Sequence, residues 1–240
     1  CSVVCVDMNM ALAQRTVEMI EAEGKGKGIA IGADVTSSED CQRIVKTAVE
    51  TYGRIAILFN CVGIGGASGT AVEVDMELWA KGLEVNISTM VLMSKYAIPE
   101  MMKNDRSMGY TGSIINMASV AGLMGGTPHL LYPTSKGAIV NMTRAMAAHH
   151  APAGIRVNCV CPGMVYTPMM YAKGMSEEAR EARKNRNLLK TEGNGWDVGA
   201  AVRFLAGDES RWMTGIVLPI DAGATAAIGT ELPKNASVGT

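Results

Sequence analysis

A single α/β domain, with a doubly wound parallel sheet and helices on both faces, is predicted for residues 1–240 by three observations. Short runs that are apolar on both faces recur along the chain, as strands covered on both sides require. Segments of helical period separate these runs, and strand–helix alternation builds a parallel sheet. Hydrophobic residues make up 48% of the chain and charged residues 19%, enough apolar material for a sizeable core and too much for disorder.

Ser2–Val6 reads as the first strand. A helix follows through Leu12, Thr16, Val17 and Ile20 and stops at Gly24. Gly28–Gly32 is the second strand. Ser37 opens the next helix, with Asp40 three residues on as its capping-box partner. Ile44, Val45, Ala48, Val49 and Tyr52 form its apolar face, and Gly53 ends it. Ile55–Asn60 is the third strand, and a long helix runs from Asp75 past Met101. After the polar loop 104–111, Ser113–Met117 is the fourth strand, Leu131–His150 a helix and Ile155–Val160 the fifth strand. Helical stretches at Glu177–Leu189 and Asp197–Ala206 precede the last strand, Ile216–Ile220. The tail after Ala226 is polar and weakly patterned. This order describes a Rossmann-like architecture.

Composition excludes several function classes. The net charge is −1 and the basic residues are scattered, so no surface is set up for nucleic acid or an anionic membrane. The densest basic group, Arg180–Arg186, is interleaved with Glu and reads as a solvated helix face. Cysteines stand at 1, 5, 41, 61, 159 and 161 without a C-x-x-C pair, and the three histidines have no metal-ligand spacing. No metal is expected, and the free thiols point to a reducing, cytoplasmic setting. No segment is long and apolar enough for a membrane helix.

The chemistry concentrates in Tyr132-Pro133-Thr134-Ser135-Lys136. On a helix, positions i and i+4 share a face, so the Tyr132 phenol and Lys136 ammonium can converge. A cation beside a phenol favours the phenolate and makes it a usable acid or base. Ser119 lies just past the fourth strand, at a carboxyl end where open sheets bind ligands. Pro162-Gly163 follows the fifth strand, also at a carboxyl end. Asn86 sits mid-helix, where Asn is a mediocre helix former.

Together, 112–122 (GSIINMASVAG), 132–138 (YPTSKGA), 158–163 (NCVCPG) and 221–223 (DAG) resemble the landmarks of the short-chain dehydrogenase/reductase family, in order and spacing along essentially the whole chain. The resemblance implies an oxidoreductase that moves a hydride between a nicotinamide cofactor and a secondary alcohol or ketone. Tyr132 would exchange a proton with the substrate oxygen. Lys136 would lower the Tyr132 pKa and bond the nicotinamide ribose. Ser119 would orient the substrate oxygen, and Asn86 would hold a water that links Lys136 to solvent. Asp34 and Val35 resemble the pair at the adenine. Asn60-Cys61-Val62-Gly63 resembles the family's Asn-Asn-Ala-Gly, with Cys61 lacking an amide that would bond neighbouring strands and Val62 adding bulk. Val165 and Thr167, beyond Pro162 and Gly163, match positions that meet the carboxamide. The family also implies a homo-tetramer paired through the helices at Asp75–Met101 and Leu131–His150.

Cofactor choice has its own physical argument. Asp7 ends the first strand, where a carboxylate can accept both ribose hydroxyls of NAD and repel the 2′-phosphate of NADP. Capping of the following helix is the other reading of Asp7. Met8 stands where NADP-dependent relatives often place Arg. His129, three residues before Tyr132, faces either substrate or solvent, and the Met-rich run Met164–Met175 falls where the family has its substrate lid. That run reads either as an adaptable pocket, which would suit an apolar or cyclic small-molecule substrate, or as plain core packing.

No glycine-rich strand–turn–helix precedes Asp7. The stretch 24–28 follows a helix and enters a strand, the wrong order for a phosphate cradle. The expectation is that the native protein carries about 30 further residues before Cys1, holding that strand, turn and helix. The alternative function is a non-catalytic binding or scaffold protein on the same fold. An isomerase without net redox is the third.

Overall fold

The computed structural model describes residues 1–24, 26–172 and 174–227. Its strands are β1 (Ser2–Asp7), β2 (Lys27–Gly32), β3 (Ile57–Asn60), β4 (Gly112–Met117), β5 (Ile155–Pro162) and β6 (Val217–Ile220). All pair in parallel, in two sheets: β1–β2, and β3–β4–β5–β6. Among the described residues β1 pairs only with β2 and β3 only with β4, so each has an open edge.

The helices are α1 (Met10–Ala22), α2 (Ser38–Tyr52), α3 (Met76–Leu83), α4 (Thr89–Met101), α5 (Leu131–His150), α6 (Pro168–Tyr171), α7 (Glu177–Lys184) and α8 (Gly195–Ala206). The main core is clamped between α2, α4 and α5 and the strands β4 and β5, with Ile44, Met101, Ile114 and Val157 buried there. Ile115, Val160, Val198 and Leu205 fill the opposite face under α8. Strand β5 is buried along its whole length, as a strand covered on both faces must be.

Several elements differ from the sequence reading. The face of α1 is Ala13, Val17 and Ile20, packed on Cys5 and Val3 of β1, while Leu12 is exposed. Ser37 caps α2 and Gly53 ends it in the left-handed conformation, as read. Asp40, however, does not complete a capping box. Its carboxylate accepts the Asp34 N–H (2.8 Å) and grips Arg43, holding the β2–α2 turn instead. A true capping box forms at α8, between Asn194 and Asp197, so that helix starts two residues earlier than read. Helix α7 stops at Lys184 rather than Leu189, because the Asn187 amide takes the Lys184 and Thr191 carbonyls (both 2.9 Å) and turns the chain. The expected single helix at 75–101 is interrupted at 84–88 by a π-helical turn. Of the tail after Ala226, residues from 228 onward lie outside those described.

Arg156 anchors the lower end of β5. Its buried guanidinium donates to the Leu205 (2.9 Å), Gly207 (3.3 Å) and Met213 (3.2 Å) carbonyls and stacks on the Tyr110 ring. Leu205 lies in the last turn of α8, where free carbonyls and the helix dipole favour a cation.

Candidate active site

The site lies beyond the carboxyl ends of β3, β4 and β5, where α5 crosses them. Tyr132 and Lys136 occupy consecutive turns of α5. The Lys136 side chain is buried, and its ammonium donates to the Met117 carbonyl at the end of β4 (2.9 Å). No carboxylate pairs with it among the described residues. Burial therefore pulls its pKa from the ordinary 10.5 down to about 8.

The Ser119 hydroxyl beside the Tyr132 phenol favours the phenolate, but burial outweighs this and raises the Tyr132 pKa above its ordinary value. Lys136 Nζ lies 5.6 Å from the Tyr132 ring centroid. The lowering of Tyr132 expected from Lys136 is absent in this geometry, because the ammonium is committed to Met117 and the ring is desolvated.

Ser119 follows β4 in an extended conformation and caps a short 3-10 turn, Val120–Gly122, by accepting the Ala121 N–H (3.2 Å). Its hydroxyl also reaches the Pro162 carbonyl at the end of β5 (3.5 Å). Gly122 rests directly on α5: a Cβ there would lie 2.5 Å from the Lys136 carbonyl carbon. Only glycine lets this turn bring Ser119 over the Tyr132–Lys136 face.

Asn86 sits in the π turn, fully buried. The extra residue of such a turn re-aims one side chain inside a helix. Here Asn86 Oδ1 accepts the Ile64 N–H (2.8 Å), while Nδ2 donates to the Ile64 carbonyl and to Ser135 Oγ (both 3.0 Å). Ser135 in turn donates to the Tyr132 carbonyl (2.8 Å). Both amide hydrogens are thus taken, and the free lone pair of Oδ1 is what remains for a water. Gly63 completes the group: a Cβ on it would lie 3.4 Å from Lys136 Nζ and 3.5 Å from Asn86 Oδ1.

Asn60 does not line this group. Its buried amide donates to Asn116 Oδ1 (2.9 Å), and Asn116 donates to Thr143 (3.1 Å), tying β3 to β4 and α5. The strand-to-strand amide bond expected to be lost at Cys61 is therefore made one residue earlier. Cys61 itself is exposed.

The remaining residues fall in two other places. Asp7 ends β1, where its Oδ1 accepts the Asn9 N–H (2.8 Å), and Asn9, not Asp7, caps α1. Met8 beside it is exposed. Asp34 holds the turn after β2 by accepting the Thr36 N–H and hydroxyl, which keeps its carboxyl below the ordinary range; Val35 packs on the core. None of Asp7, Met8, Asp34 and Val35 hydrogen-bonds the Tyr132 group. Gly163 packs on Asp221, where a Cβ would lie 2.7 Å away. Val165 bridges to Gly193, and Thr167 precedes α6. His129 accepts the Gly69 N–H through Nδ1 (3.1 Å), linking the loops before α3 and α5. The sequence reading did not single out Ser135, Gly122 or the Met117 carbonyl. A small hydroxyl directly before Lys136 was the available signal for the first.

Residues 1–225 match the family model described as enoyl-(acyl carrier protein) reductase. The meso-2,3-butanediol dehydrogenase of Serratia marcescens is 35% identical over 218 residues, which is 90% of this chain and 83% of that protein. A solved short-chain dehydrogenase/reductase from Burkholderia xenovorans superposes with a TM-score of 0.84 at 34% identity, covering 94% of this chain and 85% of that one. The chain belongs to the short-chain dehydrogenase/reductase family. An NAD+-bound xylitol dehydrogenase also superposes on this short-chain dehydrogenase/reductase, with a TM-score of 0.82 at 29% identity, covering 92% and 88%. The protein is accordingly an oxidoreductase acting on CH–OH donors, and the non-catalytic alternative gains no support from these relatives.

The residues present fit the family's nicotinamide cofactor. Lys136 is a buried cation with three N–H groups and one protein partner, so it has donors to spare for a ribose diol. Gly63 keeps the wall beside it free of side chain. Among the described residues, no group of three or more His, Cys, Asp or Glu could hold a metal, and no helix is long and apolar enough to cross a membrane.

Proposed function

We propose that this chain, a single domain across residues 1–240, is an NAD-dependent dehydrogenase that interconverts a secondary alcohol and its ketone. The observation that carries this reading is the buried, carboxylate-free Lys136 beside the hydroxyl pair Tyr132–Ser119. A nicotinamide bound there accepts or delivers the hydride. Tyr132 passes the proton to or from the substrate oxygen, and Ser119 donates to that oxygen as charge develops on it. Lys136 holds the ribose and Tyr132 in register. Asn86, through Ser135, fixes the turn of α5 that carries Tyr132.

Pro162, Gly163, Val165 and Thr167 lie on the segment leaving β5 and would meet the nicotinamide end. Gly63, against Lys136, would leave room for the nicotinamide ribose, with Asn60 bracing the strand end before it and Asp34 and Val35 at the adenine. Leu123, Met124, Leu130, Met169 and Leu189 are exposed on segments that leave the carboxyl ends of the strands. Their apolar surface suits an apolar or cyclic substrate. The free thiols among the described cysteines suit a reducing, cytoplasmic setting. Exposed Val91 on α4 and Met102 at its C-cap suit pairing of copies into a homo-tetramer, which light scattering would reveal.

The reading is tested by titrating NADH fluorescence with the purified chain and screening secondary alcohols for NADH production. Saturable binding and turnover are expected, and the absence of both would overturn it. Cofactor preference rests on Asp7, whose carboxylate would hold the ribose hydroxyls. The double substitution Asp7→Ala with Met8→Arg is expected to shift the kcat/KM ratio toward NADP by ~10-fold or more, through loss of a repelling charge and gain of a phosphate partner. An unchanged ratio would remove Asp7 from the cofactor site.

A further inference from the structure

Arg180 stands out among the side chains that the proposed chemistry does not use. It lies on α7, in the basic–acidic stretch whose sequence reads as a solvated face. In the structure its guanidinium makes a two-pronged ion pair with Glu192, Nε to Oε2 and Nη2 to Oε1, both at 2.6 Å. The same guanidinium covers the Tyr166 ring, 4.2 Å from its centroid, and the Tyr171 ring lies tilted against that ring at 4.9 Å. Glu177 is a second, looser partner at 3.9 Å.

These contacts close a circuit through the backbone. The Tyr166 N–H donates to the Gly193 carbonyl (2.8 Å), and Val165 pairs with Gly193 as an isolated parallel bridge. Glu192 is the residue before Gly193. Tyr166 is therefore held to the 192–193 segment twice, once through its backbone and once through Arg180. Arg183, one turn further along α7, donates to the Val165 carbonyl (3.3 Å). Asn187 and the Ala222 carbonyl anchor the far end of the loop.

We infer that Arg180 is a positioning residue, which with Glu192 and Tyr166 fixes the segment Val165–Thr167 where the nicotinamide end of the cofactor binds. An exposed ion pair contributes little by itself. This pair is part-buried, meets a carboxylate with both prongs and stacks on an aromatic face, the geometry in which arginine cannot be replaced by lysine. The ion pair holds the Glu192 carboxyl below its ordinary range.

The inference rests on the dehydrogenase reading, and the experiment separates the two. Arg180→Met, Arg180→Lys and Glu192→Gln are compared with the unsubstituted chain by NADH fluorescence titration and by hydrogen exchange of the peptide containing Tyr166. Each variant is expected to raise the Kd for NADH by about tenfold, to speed exchange at Tyr166 and to melt cooperatively. Arg180→Met combined with Glu192→Gln should match the single variants, because both remove one interaction. A Kd within about twofold of the original overturns the positioning role, whether or not exchange quickens. If the unsubstituted chain fails to bind NADH, the dehydrogenase reading falls. Exchange then decides the anchoring alone: quicker exchange supports it and unchanged exchange overturns it.

Discussion

Replacing Tyr132 with phenylalanine is expected to lower kcat by ~10²–10⁴-fold, the range lost with a general acid or base, while stability changes by no more than ~1 kcal/mol. The ring keeps its packing, and only the hydroxyl beside Ser119 disappears. Direction of reaction adds a second signature. Burial holds the phenol protonated well beyond neutral pH, so the free enzyme is ready to donate a proton in ketone reduction. Alcohol oxidation needs the conjugate base. Its kcat/KM is therefore expected to climb with pH across the range in which reduction is flat, and Tyr132→Phe should abolish that climb. Near-normal turnover in the variant would remove Tyr132 from the chemistry.

Lys136→Met separates function from stability. Activity is expected to fall at least ~10²-fold, because the cofactor ribose loses the buried cation that would hold it beside Tyr132. The folded chain, by contrast, is expected to gain. Lys136 is charged in the unfolded chain up to about pH 10.5 but only to about pH 8 when folded. Below pH 8 both states hold the proton and the burial penalty is fully present. Between pH 8 and 10.5 the unfolded state binds more protons, so stability rises with pH. The penalty corresponds to ~3 kcal/mol. Setting against it ~1 kcal/mol for the hydrogen bond to Met117 leaves a net gain of ~2 kcal/mol at pH 7. Chemical denaturation of both proteins from pH 7 to 10.5 checks this. A variant that is less stable at pH 7, or that keeps the rise above pH 8, would contradict the assignment.

Much of the architecture was legible because it rests on local chemistry. The caps at Ser37 and Gly53, the ends of α5 and the alternation of apolar runs with helices are statements about neighbouring residues. The Tyr132–Lys136 face follows from helical period alone. What escaped depends on partners distant in sequence. The phase of α1 is set by the strand beneath it, which leaves Leu12 outside. Asp40 turns from its helix to hold Asp34 because Arg43 and the β2 end lie within reach. Arg180 looked solvated because Glu192 and Tyr166 reach it only through a folded loop. The π turn left one trace, an asparagine in mid-helix, since a single extra residue alters neither composition nor hydrophobic pattern enough to be read.

That π turn ties the site to the core through angular phase. Each residue advances an α-helix by about 100°, so the extra residue within Glu84–Ser88 sets the rotation of everything after it in α4. Downstream, Met90, Met93, Ala97 and Met101 are buried by virtue of that rotation. Upstream, Gly82 fits against Leu131 in the turn that begins α5. Deleting one residue to restore a regular helix would not simply withdraw Asn86. It would swing the core-facing methionines toward solvent and bring polar residues inward. The bulge therefore behaves as an indexing joint: the asparagine's aim and the packing of α4 share one degree of freedom, and neither can be altered by insertion or deletion without the other.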